Sequence, residues 1–212
     1  MRVHVARHGE TTWNMAGRYQ GRRESGLSAL GVRQGMALAD AFDTPAVRVG
    51  RIVSSPLLRC MATAQFTASR LDLALETDRR IIEIGHGSWE GRYREEIRAN
   101  DGERMRMWKE DPENVAFIGE GGETLADVRD RWLDFAVSLR PDVPTLVCSH
   151  DAVVRMAILC GSGRPIADLW NVNVENAGYA TFEVTGPTWE LVRESSSDHL
   201  AGLHASIGGQ AL

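Results

Sequence analysis

The chain has 212 residues, of which 43% are hydrophobic and 25% are charged. This length suits one large domain with at most an inserted segment, and the composition is that of an ordinary globular protein. The formal net charge of −5 argues against nucleic-acid binding through general electrostatics, because proteins that bind in this way are usually basic. No apolar run is long enough to span a membrane and no signal peptide is recognisable, so we expect a cytoplasmic protein without a membrane partner.

The hydrophobic pattern predicts strands that alternate with helices. Strands are predicted over 3–6, 51–54, 144–148, 178–184 and 189–193, and a further apolar run covers 81–84. Helices are predicted over 28–42 with Ser28 as cap, from Pro56 to about residue 70, over 93–110 as one or two segments, over 124–139 and over 152–160. The alternation favours an α/β fold with a mainly parallel central sheet.

The chain is expected to form a single domain over residues 1–194, with a lid inserted at about 92–120. Residues 195–212 are rich in Ser, Gly and Ala and show little apolar periodicity, so we predict a mobile tail. A homodimer in which this tail docks on a partner subunit is the alternative.

Metal and disulfide chemistry find little support in the sequence. The three cysteines, Cys60, Cys148 and Cys160, are an odd set without metal-ligand spacing, and we interpret them as buried apolar residues in a reducing compartment. No zinc-protease motif, phosphate-binding P-loop or carboxylate cluster is present, so neither a metal nor a cofactor is expected.

Three predicted strands end in residues that suit anion chemistry. The first ends at Arg7-His8, the second precedes Arg59 by about one helical turn, and a late strand ends at His150. The carboxyl ends of parallel strands share one edge of a sheet, and helix N-termini at that edge offer free N–H groups. The sequence therefore predicts a pocket for a compact dianion such as phosphate.

Five segments in order resemble the signature of the histidine phosphatase superfamily, branch 1, which is also described as phosphoglycerate mutase-like. They are Arg7-His8-Gly9-Glu10-Thr11, Ser54-Ser55-Pro56-Leu57-Leu58-Arg59, Glu83 with Trp89-Glu90-Gly91, Gly121-Gly122-Glu123-Thr124, and Ser149-His150. The resemblance spans residues 3 to about 160 and implies a three-layer αβα fold.

The resemblance implies a role for each matched residue. His8 attacks phosphorus and becomes phosphohistidine, while Glu83 protonates the leaving oxygen and then activates water. Phosphoryl oxygens are held by Arg7, Arg59 and His150, and the cradle is completed by Asn14, Gln20 and the backbone of Gly21. Neighbouring guanidinium groups and helix N-termini favour the neutral imidazole that a nucleophile requires, and burial among isoleucines raises the pKa of Glu83.

Two positions depart from the family pattern. Gly26 stands where a proline is usual, which predicts a looser rim of the pocket. Asp151 follows the second histidine where glycine is common, and we expect its carboxylate to lie at the substrate site, where it repels anions or binds a substrate hydroxyl.

The same chemistry serves phosphatases and phosphoglycerate mutases. The run Glu83-Ile84-Gly85-His86-Gly87 and a short insertion with Lys109 as its single lysine favour a phosphatase, with a mutase as the alternative. A non-catalytic phosphate-binding module is disfavoured because the nucleophile and the acid are both present. The expected substrate is a small phosphorylated metabolite.

Overall fold

The computed structural model describes residues 1–139 and 142–204. Six strands form one sheet in the order β3-β2-β4-β1-β5-β6. The strands are β1 Arg2–Arg7, β2 Arg51–Ser54, β3 Leu75–Thr77, β4 Thr145–Ser149, β5 Tyr179–Thr185 and β6 Thr188–Ser196. The helices are α1 Thr12–Met15, α2 Ala29–Phe42, α3 Leu58–Leu71, α4 Arg94–Asn100, α5 Gly102–Glu110, α6 Leu125–Ser138 and α7 Asp151–Ser162.

The first four strands are parallel to one another, whereas β5 and β6 extend the sheet in antiparallel pairings. In the register of the central strands, Arg7 lies opposite Ser149 and Ser54 lies opposite Cys148. The ends of β1, β2 and β4 therefore meet at one edge of the sheet, as the sequence predicted.

Helices cover both faces of the sheet. Because side chains alternate along a strand, Val3 and Val5 of β1 join the core beneath α6 and α7, while Ala6 joins the core beneath α2 and α3. Both cores are closed by fully buried side chains, such as Trp132 on the first face and Phe42 on the second. The expected three-layer αβα arrangement is confirmed.

Local signals set several of the helix ends. The Ser28 hydroxyl accepts from the amide of Gly31 at the start of α2, and Thr124 with Asp127 forms a capping box at the start of α6. The helix predicted from Pro56 begins only at Leu58, because the backbone of Leu57 is extended and this residue is the N-cap; the Ser55 amide before it donates to the carbonyl of Cys148 and continues the sheet.

The apolar run at 81–84 begins at the end of a 3-10 turn, Arg79–Ile81, and continues as a buried loop, while the short edge strand β3 precedes it. One sequence prediction about the end of the chain needs correction. The predicted boundary at residue 194 falls within β6, and residues 195–204 are packed rather than mobile. Leu200 is fully buried, and Gln34 Nε2 donates to the carbonyl of Leu203 at 2.8 Å. The rest of the predicted tail, 205–212, lies outside the described residues.

Candidate active site

A small cavity lies at the carboxyl-terminal edge of the parallel strands. Its lining residues are Arg7, His8, Asn14, Gln20, Gly21, Arg59, Glu83 and His86. Seven of these eight were predicted for the site from the sequence, and His86 is the addition. The other two predicted residues, His150 and Asp151, are buried outside this lining.

The end of β1 positions His8 and sets its tautomer. The His8 amide donates to the carbonyl of Ser149 at 3.0 Å, and ring Nδ1 lies 2.7 Å from the carbonyl oxygen of Gly9. Since a carbonyl oxygen only accepts, Nδ1 carries the ring proton. Nε2 is thus the nitrogen with a lone pair, and Arg59 Nε lies 3.3 Å from it.

Burial, followed by the charges of Arg59 and Arg7, holds the pKa of His8 well below its usual value. The sequence analysis named the guanidinium groups and helix N-termini as causes of the lowered pKa, and the structure adds desolvation as the largest one, because His8 is only 2% exposed. The imidazole is therefore neutral at physiological pH, which is the state that can attack phosphorus.

Two buried guanidinium groups lie beside this imidazole. Arg59 donates through Nη1 to the carbonyl of Arg23 at 2.9 Å and through Nη2 to that of Gly21 at 2.7 Å. Arg7 donates through Nη1 to the carbonyl of Val174 at 2.9 Å. Anchored in this way to backbone, both planar forks are preorganised for an anion.

Two side-chain amides complete the polar wall. The oxygen of Asn14 accepts from the amide of Thr11 at 3.0 Å, and the oxygen of Gln20 accepts from the Ser25 hydroxyl at 2.7 Å. Because the amide oxygens are engaged, each NH₂ group is left as a donor for an anion in the cavity.

Glu83 is the carboxylate of the cavity. It is 4% exposed, and its Oε1 accepts from the amide of Ile84 at 2.9 Å. Burial raises the pKa of Glu83 to about 7, with the charge of Arg59 opposing that shift. The raised pKa expected from the isoleucine-rich segment is confirmed, and a carboxyl with this pKa can both give and take a proton near neutral pH.

Two further carboxylates hold the loop that carries Glu83. Glu90 Oε1 accepts from the backbone amides of Arg22 at 3.0 Å and His86 at 3.1 Å. Glu123 Oε2 accepts from the amide of Gly85 at 3.1 Å, and its Oε1 pairs with Arg22. These contacts link the acid loop to the segment around Gln20.

His150 lies behind the nucleophile, with its ring centroid 5.3 Å from that of His8. Its Nε2 lies 2.8 Å from the hydroxyl of Ser55 and 3.3 Å from Sγ of Cys60. Burial lowers the pKa of His150 well below its usual value, so the ring is neutral. His150 is therefore not among the residues that line the cavity, where the resemblance implied a contact with phosphoryl oxygens, and its neutral ring adds no charge beside His8.

Asp151 does not lie at the substrate rim as the sequence suggested. Its side chain is 1% exposed and bridges two arginines: Oδ1 is 2.9 Å from Arg7 Nη1, and Oδ2 accepts from Arg155 Nε. The carboxylate is therefore committed to guanidinium partners. Arg155 escaped the sequence analysis, although its i, i+4 spacing from Asp151 on a helix is a signal for such a pair.

His86 sits in an aromatic cluster beneath the lid. Its ring centroid lies 4.6 Å from Phe117, 5.2 Å from Tyr19 and 6.0 Å from Trp108. Burial lowers the pKa of His86 to about 3, and within the described structure neither ring nitrogen has a hydrogen-bond partner. Trp108 and Phe117, which the sequence placed in the lid, therefore pack the wall of the site.

Other charged residues of the lid form ion pairs or line a separate groove, and Arg106 does both. Arg104 pairs with Asp101, and Arg106 pairs with Glu110. The groove is lined by Arg94, Arg98, Gly102, Met105, Arg106 and Lys109.

Across the described ranges we find no group of three or more His, Cys, Asp or Glu side chains placed to hold a metal ion. None of the helices in those ranges is long and apolar enough to cross a membrane.

This fold and this site are those of a known class. The sequence profile of the histidine phosphatase superfamily (branch 1) matches residues 3–196, so the chain belongs to that family and is a phosphatase with a phosphoglycerate mutase-like fold.

Individual relatives share most of their length with the chain. Phosphoserine phosphatase 1 of Hydrogenobacter thermophilus is 34% identical over 85% of both chains. The adenosylcobalamin/alpha-ribazole phosphatase of Escherichia coli is 25% identical over 87% of this chain and 90% of its own. The solved structure of Bacillus stearothermophilus YhfR superposes with a TM-score of 0.86 at 28% identity, covering 94% of this chain and 98% of its own.

Proposed function

We propose that this phosphatase hydrolyses the phosphate monoester of a small metabolite through a phosphohistidine intermediate on His8, with Glu83 as general acid and base. The observation that carries the proposal is the cavity itself. It combines an unprotonated Nε2 on a neutral, buried imidazole with a carboxyl group whose pKa is about 7.

In the first step, Nε2 of His8 attacks phosphorus and the bond to the ester oxygen breaks. Glu83 gives its proton to that oxygen, so the product leaves as an alcohol. Arg7 and Arg59 stabilise the charge on the equatorial oxygens. The Nδ1–H bond to the carbonyl of Gly9 favours the positive charge that develops on the ring.

In the second step, the Glu83 carboxylate takes a proton from water as the water oxygen attacks the phosphohistidine. The bond from phosphorus to Nε2 breaks, inorganic phosphate is released, and His8 returns to its neutral form while Glu83 is protonated again. Division of the reaction into two displacements lowers each barrier, because one preorganised cradle serves both.

Phosphoserine is the first substrate to test, because the relative at 34% identity is named a phosphoserine phosphatase. A small substrate also suits a cavity enclosed by Gln20, Glu83 and His86, with buried aromatic rings behind them. A panel should add sugar phosphates, 3-phosphoglycerate and alpha-ribazole phosphate, each with and without a chelator. Formation of 2-phosphoglycerate from 3-phosphoglycerate and 2,3-bisphosphoglycerate would assign a mutase instead.

The decisive variant is His8→Ala, which should lose at least about 10³-fold in kcat because the nucleophile is absent. Rapid acid-free quenching with a ³²P-labelled substrate should trap a base-stable, acid-labile phosphoprotein in the wild type and none in the variant. His204→Ala is the matched control, because that histidine is exposed and pairs with Glu175. Equal labelling of His8→Ala and the wild type would refute the mechanism.

A further inference from the structure

Asp151 is held between two arginines in the layer directly behind the cavity. Its Oδ1 is 2.9 Å from Nη1 of Arg7, and its Oδ2 accepts from Nε of Arg155. All three residues are at most 9% exposed. The three charges sum to one positive charge, whereas Arg7 and Asp151 alone would cancel.

The two arginines also anchor the same stretch of chain. Arg155 Nη1 donates to the carbonyls of Leu169, at 3.1 Å, and Val172, while Arg7 Nη1 donates to the carbonyl of Val174. The arrangement is therefore closed, from Arg7 through Asp151 and Arg155 to segment 169–174 and back to Arg7. A set closed by hydrogen bonds and by the ion pair between Arg7 and Asp151 leaves a guanidinium little freedom to rotate.

Trp170 covers the outer side of this arrangement. The Arg155 guanidinium carbon lies 5.2 Å from the centroid of the Trp170 ring, and Trp170 Nε1 donates to the carbonyl of Trp108 at 2.7 Å. Lys109 Nζ lies 3.8 Å from the same ring. The ring shields the Arg155–Asp151 pair from water, which strengthens its electrostatic coupling to Arg7.

Stability alone does not account for such a set. Buried ion triads carry a desolvation penalty of several kcal/mol per ion, and replacing them with apolar side chains of similar volume is often neutral or stabilising. What the set contributes here is geometry and charge at Arg7, a residue that lines the phosphate cavity.

We propose that Arg155 is a positioning residue of the phosphatase reaction: it holds Asp151, which orients Arg7 toward the phosphoryl group and keeps the site net positive. This role rests on the proposed function. Arg155 itself does not line the cavity, so it acts only through its partners.

The test compares Arg155→Met, which keeps the side-chain length but removes the fork, with Arg155→Lys and with the control Arg164→Met. Arg164 also pairs with a carboxylate, Glu194, but lies 29% exposed away from the cavity. Orthovanadate binding is measured by calorimetry together with kcat and KM on p-nitrophenyl phosphate. We expect Arg155→Met to weaken vanadate binding and lower kcat about 10- to 100-fold, with a smaller change in KM, since misplacement by about 1 Å has that effect.

Arg155→Lys preserves the buried charges but cannot contact Asp151 and the carbonyls together, so we expect about a fivefold loss of vanadate affinity at an unchanged Tm. Vanadate affinity and kcat within about twofold of Arg164→Met in both variants would overturn the role, as would a loss confined to Tm. Vanadate binding requires no turnover. A wild type that fails to label on His8 would therefore refute the proposed function and leave this test intact.

Discussion

Glu83 must change protonation state within each catalytic cycle, and its surroundings permit this. A carboxyl in water is ionised at pH 7, but burial raises the pKa of Glu83 to about 7. His8 requires no such change, because its pKa is far below neutrality. A nucleophilic histidine with a pKa near 6.5 would be protonated at lower pH, and the reaction rate would fall there. This fall should be absent from the pH profile of the rate.

For the wild type, the rate of enzyme phosphorylation by an alkyl phosphate should fall about tenfold per pH unit above about pH 7, as Glu83 loses its proton. Glu83→Gln should reduce that rate by about 10²–10⁴-fold. The loss should be much smaller for p-nitrophenyl phosphate, whose leaving group departs without a proton. Single-turnover bursts with both esters measure this, and equal losses would contradict the acid role.

The same variant should be more stable than the wild type at high pH. The pKa of Glu83 is raised from 4.5 in the unfolded chain to about 7 in the folded one, so its favourable contribution is complete below 4.5 and is lost as pH rises through 7. Glu83→Gln should thus exceed the wild type by up to about 3 kcal/mol of unfolding free energy at pH 8. Urea unfolding at pH 5 and pH 8 checks the difference, which should shrink at the lower pH.

Between elements, the nucleophile loop and α2 meet through two glycines. A Cβ on Gly31 would lie 1.9 Å from the carbonyl oxygen of Glu10, and a Cβ on Gly9 would lie 2.5 Å from that of Gly31. Only hydrogen atoms fit between these backbones. Helix α2 thus sets the position of the loop that carries His8.

Gly31→Ala should displace that loop and lower kcat about 10²-fold, because the reacting atoms tolerate little misplacement. Gly102→Ala is the matched control: it is also a glycine in a helix, and a Cβ there meets no described atom within 4 Å. Kinetics and Tm for both variants provide the check. Unchanged kcat in Gly31→Ala would show that the loop is not set by α2.

Across the whole molecule, the end of the described chain closes back on the layer behind the nucleophile. Gln34 of α2 accepts from the amide of Glu10 through Oε1 and donates through Nε2 to Leu203. Leu200 is completely buried in the same core as Phe42. Residues 195–204 therefore belong to the domain.

Leu200→Ala should destabilise the protein by about 3 kcal/mol and lower Tm by about 10 °C, through lost burial and the cavity left behind. Val192→Ala removes an aliphatic side chain that is 57% exposed on β6, so its Tm should stay near that of the wild type. Calorimetry measures the Tm of both variants and so tests whether Leu200 contributes to stability. Matching Tm values would mean that Leu200 is not packed in solution.

Much of this protein could be predicted from local signals in the sequence. The alternation of apolar runs with capped helices indicated the α/β layers, because burial period and capping are properties of neighbouring residues. Arg7, His8 and Arg59 followed from the strand ends, since parallel strands bring their carboxyl ends to one edge. The other four predicted cavity residues, Asn14, Gln20, Gly21 and Glu83, followed from the resemblance to the family.

Other features depended on distant contacts. The sequence predicted that Asp151 is a carboxylate at the rim of the pocket, beside His150. The fold instead buries it between Arg155 and Arg7, and Arg7 lies 144 positions earlier in the chain. Leu200 lies in a stretch without apolar periodicity. Its buried side chain and the hydrogen bond from Gln34 of α2 to the carbonyl of Leu203 nevertheless hold this stretch against the domain. The sequence by itself determined the layers and the residue types of the site, which are set by neighbours along the chain. Only the tertiary structure decided which charges pair and how far each pKa moves, because desolvation and ion pairing depend on groups that folding brings together.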